Sequence, residues 1–246
     1  MSVPEHPRRT DALPLAFWKL LVLLVAIVVL SVLVVPAVFA ITAQVTAGGE
    51  NGPILTTAAA ILTQTAIMFG LLYALPVRTW GLTWWQLGAR PAERRWIGRA
   101  VILGFLAVPV VSGVIQVVQS ITGEPLDNPQ VQMLAPAGFT WFSATLTVFL
   151  ASVVAPFVEE FLFRGLIHRW ISERTGMWIA IPASAAIFAA LHGIPLLIPP
   201  LFVVGCLLAW VYEKSRSIWP CIVLHGVYNG LMTVSLYVAL ASGVEF

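Results

Sequence analysis

The chain has 246 residues, of which 59% are hydrophobic and 10% charged, a balance that excludes a soluble domain with a water-facing surface. Its net charge of +2 comes from basic residues set beside apolar runs rather than gathered in one patch, which gives no case for nucleic-acid binding. Cys206 and Cys221 both fall inside apolar runs, so they read as small hydrophobes and not as a disulfide framework.

The first apolar run, Leu15 to Ala40, exceeds the ~18 residues that mark a spanning helix. Arg8 and Arg9 precede it and Ala37 and Ala40 close it, as in a secretory signal. Its apolar stretch is too long for a signal h-region, so a membrane anchor is expected. The second run is Ile54 to Leu75 and the third Gly98 to Ile121. Between them Trp80, Trp84, Trp85 and Trp96 stand among arginines, which suits an ordinary aromatic belt or a segment lying in the headgroup layer. The fourth run, Phe139 to Trp170, would make a helix of about 50 Å against a ~30 Å hydrocarbon core. Pro156 allows either one long bent helix or two helices meeting near Ala155. Shorter runs follow at Met177 to Leu191, Leu196 to Tyr212 and Ile218 to Leu240. No internal repeat, low-complexity tract or linker is visible. The expected fold is all-α, a polytopic transmembrane helical bundle of about seven membrane helices, or eight if the fourth run breaks. It forms one domain over residues 1–246.

Lys and Arg lie in the N-terminal tail, in the Val77 to Arg99 connection, from Arg164 to Arg174, and at Lys214 and Arg216. The intervening connections, Thr42 to Pro53, Thr122 to Gly138, Gly193 to Pro200 and the end after Ser242, contain neither. This positive-inside pattern places the N-terminus in the cytoplasm and, if each run crosses once, the C-terminus outside. A multi-pass protein of the cell membrane is expected.

Charged groups at membrane depth are costly, by about 2.5 to 3.5 kcal/mol on insertion scales, so each needs a partner or a function. They are few here: Glu159, Glu160 and Arg164 in the fourth run, His192 at the end of the fifth, and His225 in the seventh, with Asn229 one turn further on. Counting from the basic connections at 1.5 Å per residue puts Glu159 ~22 Å deep, His192 ~24 Å, Asn229 ~20 Å and His225 ~14 Å, close enough to share one layer. Glu160 and Arg164 are four apart, on one helical face, so Glu160 is the expected structural partner of Arg164. Glu159 points about 100° away, on the face of Ser152 and Leu166, with no basic neighbour on its own helix. A carboxylate so placed suits a general base or acid. His225 and Asn229 share the same four-residue spacing and can aim two donors at one developing oxyanion. Phe188 and His192 share it too, so the ring can buttress the imidazole. A base, a histidine and two oxyanion donors make a hydrolytic set with water as the nucleophile. The bland alternative, a Glu–Arg pair acting as helix glue beside a satisfied histidine, explains each piece alone but not their convergence.

These residues resemble a known family. Glu159-Glu160-Phe-Leu-Phe-Arg164, Phe188-Ala-Ala-Leu-His192 and His225-Gly-Val-Tyr-Asn229 are similar to the EExxxR, FxxxH and HxxxN motifs of the CAAX-protease and bacteriocin-processing family, which includes the type II CAAX-prenyl endopeptidase. The resemblance covers about Ala155 to Leu231, and upstream Leu87-Gly-Ala-Arg-Pro91 is similar to a common feature before the family's core. Residues 139–241 would then be the catalytic core. What the resemblance implies is an intramembrane glutamic-type endopeptidase in which Glu159 and His192 activate water while His225 and Asn229 support the oxyanion. Arg164 and Glu160 would hold the site together. Its partners would be the lipid bilayer and a membrane-associated peptide or protein substrate, with no metal and no other cofactor.

Three rival readings remain. A zinc peptidase has ligands enough in two histidines and a glutamate, but lacks HExxH, and Asn229 is a poor zinc ligand. A cysteine peptidase using Cys221, one turn before His225, lacks any further basic neighbour for the thiol. A proton-coupled transporter or non-catalytic membrane scaffold could use Glu159 and His192 as relay or anchor, but a transporter favours an internal repeat.

Overall fold

The computed structural model describes residues 13–123, 134–135 and 138–243. Among these the chain is a polytopic helical bundle without strands. Helix α1 is Phe17–Val45, α2 Gly52–Thr79, α3 Arg94–Thr122, α4 Trp141–Thr175, α5 Met177–Leu191, α6 Ile198–Ser215 and α7 Ile218–Ala241. Every apolar run became a helix, because a backbone in lipid must satisfy its own N–H and C=O groups. With the turn Pro195–Leu197 counted into α6, six of them are long and apolar enough to cross a membrane. Arg8 and Arg9 lie outside the described residues.

The fourth run is one continuous helix of 35 residues, which settles the choice left open at Pro156. It starts cleanly: Thr140 and Ser143 form a capping box, each side chain accepting the other's backbone N–H. Its hydrogen-bond register then alternates. Leu150–Val154 and Phe161–His168 are π-helical, and the α-helical turn Ala155–Glu160 lies between them. Such widened turns recur at functional positions. Helix α4 is also the centre of the bundle, packing on α2, α5, α6 and α7. Of its most apolar stretch 44% is buried, against 11% for α1, which packs on α2 and otherwise faces outward.

Helix α5 has only 15 residues, about 22 Å of rise and too short to span a hydrocarbon core. Gly176, at φ 81°, takes the left-handed turn that starts it directly after α4. It pairs with α6 as a hairpin. The expectation that topology holds only if each run crosses once therefore relaxes: a hairpin returns to its starting side whether it crosses or turns back inside the membrane.

The tryptophan-rich connection does more than lie at an interface. Leu82 and Leu87 are buried, and Trp84 stacks on Phe69 at 5.9 Å and meets Phe161 edge-on at 5.2 Å. The Ile218 N–H donates to Gly88 O at 3.0 Å, Ser217 Oγ to Arg90 O at 2.6 Å, and Arg169 Nη1 to Gln86 O. Gly165 permits this docking, since a Cβ there would sit 2.2 Å from Leu87 O. At the same end of the bundle the Leu13 N–H donates to Glu173 Oε2 at 2.7 Å, and Trp170 Nε1 to Leu15 O at 2.8 Å. The start of α1 and the α2–α3, α4–α5 and α6–α7 connections thus meet at one end, as an alternation of basic and non-basic connections requires.

Candidate active site

The α-helical turn between the two π-helical stretches of α4 presents Glu159 and Glu160 in different surroundings. Glu160 is fully buried, and its Oε1 accepts from Arg164 Nη1 at 2.8 Å, the pairing expected from their spacing. The same oxygen accepts from His225 Nδ1 at 2.8 Å. Glu159 retains 20% side-chain exposure, and its Oε2 lies 3.8 Å from His225 Nε2, beyond direct hydrogen-bond reach. The His225 imidazole therefore stands between the two carboxylates.

Phe188 gathers the remaining parts. Its ring meets His192 at 4.7 Å and His225 at 5.9 Å, both edge-on, and the Arg164 guanidinium lies 4.7 Å from its centre, within cation–π range. One buried aromatic thus touches a residue from each of the three motifs. His192 caps the end of α5 and its Nδ1 donates to Phe188 O at 2.8 Å, which leaves Nε2 as the nitrogen available to a reactant. Arg164 extends across to α6, where its Nη2 donates to Gly205 O at 3.3 Å. Asn229 Nδ2 donates to Ala151 O on α4 at 3.0 Å. The amide still has its second N–H.

Several contributors went unread in the sequence. Gly226 and Gly230 follow His225 and Asn229 and let α7 lie directly on the π-helical stretch of α4: a Cβ at Gly226 would sit 2.4 Å from Ser152 O, and one at Gly230 3.0 Å from Ser152 Oγ. A small residue at every fourth position of an apolar span is the available signal. A second buried polar group lies one turn below Arg164. There His168 bonds Ser184 Oγ and Glu213 Oε1, each at 3.0 Å, and Ser172 Oγ donates to the same Glu213 oxygen. Arg216, half exposed, pairs with Glu213 Oε2 at 3.1 Å. The His168, Ser172, Ser184 and Glu213 group bonds α4, α5 and α6 together. Among the described residues no three His, Cys, Asp or Glu side chains are grouped to hold a metal ion. Cys221 is buried and its Sγ contacts the carbonyls of Leu208 and Ser217.

The profile of the family described as "Type II CAAX prenyl endopeptidase Rce1-like" matches residues 140–231, which contain all three motifs, so the resemblance read from those motifs is borne out. Over 89 residues the chain is 27% identical to "Putative membrane peptidase YdiL" of Bacillus subtilis (strain 168), an alignment covering 36% of each chain. It thus spans about a third of the length of that relative. No solved structure matches.

Proposed function

We propose that this chain, whose residues 140–231 match the Rce1-like endopeptidase profile, is an intramembrane endopeptidase that hydrolyses membrane-associated peptides or proteins by a glutamate-activated water. The observation that carries this reading is the His225 imidazole between two unlike carboxylates, one locked to Arg164 and one partly open. Glu159 is the base. It has room for a reactant, while Glu160 is committed to two donors. His192 assists it through Nε2, its other nitrogen being fixed on the Phe188 carbonyl. Attack on the scissile carbonyl forms a tetrahedral oxyanion, which His225 Nε2 and the second N–H of Asn229 receive. An imidazole protonated on both nitrogens donates to Glu160 and to the oxyanion at once. The proton taken by Glu159 then passes to the leaving amine.

The metal-dependent alternative predicts different behaviour. A zinc site loses its polarised water when the metal is stripped. Purified protein in lipid vesicles, freed of trace metal and treated with phenanthroline and EDTA, is expected to retain cleavage of membrane-associated peptides and to contain well under one zinc per chain. Stoichiometric zinc that tracks activity would replace this mechanism with a metallopeptidase one.

A further inference from the structure

The π-helical stretch of α4 leaves one carbonyl that its own helix cannot satisfy. The Ala155 N–H reaches back five residues to Leu150 O. The next carbonyl in that register, Ala151 O, would require the N–H of residue 156, and residue 156 is a proline. An unsatisfied backbone carbonyl inside a membrane bundle is unfavourable. The donor that Ala151 O finds is Asn229 Nδ2 of α7, at 3.0 Å. Helix α7 reaches it because Gly226 and Gly230 lack the side-chain atoms that would meet Ser152. One turn earlier on α7, His225 is bonded to Glu160. The two helices are therefore joined at two points, on either side of Pro156.

We propose that Pro156 is a positioning residue for the reaction: by withholding the donor from Ala151 O it makes the Asn229 amide complete the hydrogen-bond ladder of α4, fixing the oxyanion donors on α7 relative to Glu159. Asn229 then has two tasks, one N–H holding the helix and the other facing the reactant. The role in the reaction rests on the peptidase reading above; the hydrogen-bond clasp itself does not. A Pro156→Ala chain regains an N–H that can bond Ala151 O in the wide register or Ser152 O in the α register. The ladder then closes without Asn229, and α7 is held to this part of α4 only through His225 and Glu160.

The test is a cycle of four proteins: wild type, Pro156→Ala, Asn229→Ala and the double variant. Thermal unfolding in one detergent is measured first. Asn229→Ala is expected to lower the midpoint of the wild type by about 2–4 °C, the shift expected for one lost hydrogen bond in a chain of this size. In the Pro156→Ala background the same change should have clearly less effect. Equal shifts in both backgrounds overturn the clasp, as does a Pro156→Ala chain that cannot be recovered folded, since the substitution supplies a missing donor. Peptide cleavage is the second readout. Folded Pro156→Ala is expected to keep KM and lose kcat by about 10²-fold, the effect of a small misplacement of reacting groups. Wild-type kcat in that variant overturns the positioning role. If wild type cleaves no peptide, the peptidase reading fails, and the unfolding cycle still decides the clasp.

Discussion

Glu159 and Glu160 are neighbours in sequence with opposite situations. Glu160 holds Arg164 and His225 on one oxygen and is fully buried. Removing its charge by Glu160→Gln leaves a buried guanidinium without its counter-charge, and breaking such a pair costs about 3–5 kcal/mol. The expected outcome is a large fall in thermal stability or abundance, measured by thermal unfolding or by yield of monodisperse protein. A Glu160→Gln chain of normal stability would show that Arg164 does not depend on this partner. Contacts within one helix were legible from spacing: Glu160 with Arg164, and Phe188 beneath His192. The contact of His225 with Glu160 was not, because it joins residues 65 apart and depends on how α7 lies against α4. The sequence expectation paired His225 with Asn229 as donors, and the fold adds that both are also tied to α4.

Helix α4 shows what a hydropathy pattern carries and what it omits. The length of the run, its Pro156 and the shared face of Glu160 and Arg164 were visible in the sequence. The alternation between α and π register was not, since a hydropathy pattern marks an apolar run and not which carbonyl each N–H reaches. Two glycines measure how closely other segments approach α4. A Cβ at Gly226 would lie 2.4 Å from Ser152 O, and at Gly165 2.2 Å from Leu87 O, both backbone atoms that cannot simply rotate away. Gly226→Ala and Gly165→Ala are each expected to destabilise the protein by about 1–3 kcal/mol, as overpacking does. Gly70 in α2 has nothing within 4 Å of its Cβ position, so Gly70→Ala should be neutral or stabilising by about 0.5–1 kcal/mol. Thermal unfolding of the three variants checks the order, and Gly226→Ala melting with wild type would mean that α7 stands further from α4. The docking of Leu87-Gly88 between α4 and α7 was similarly hidden: the motif was noticed, but its partners lie on other helices.

At the scale of the whole molecule, the start of α1 and three connections converge on one end of the bundle, while α5 stops short at His192 and the site lies between. We propose from the distribution of Lys and Arg that this end faces the cytoplasm. Single cysteines labelled from outside intact cells should react at Asn51 and fail at Arg94 and Ser215. Asn128 and Glu245, outside the described residues, belong to the reactive set. Labelling at Arg94 from outside would invert the protein. The helices among the described residues were legible because each run is apolar and all but that of α5 are long. The short α5 hairpin was less so, since hydropathy does not report where a helix turns inside a membrane. The central claim is that Glu159 activates water, and one comparison tests it most directly: cleavage of a membrane-associated peptide by purified wild type and by Glu159→Gln at matched stability. The amide keeps the shape and removes the basicity, so turnover should fall by about 10²–10⁴-fold while the protein stays folded. Product formation by Glu159→Gln at the wild-type rate would contradict the account.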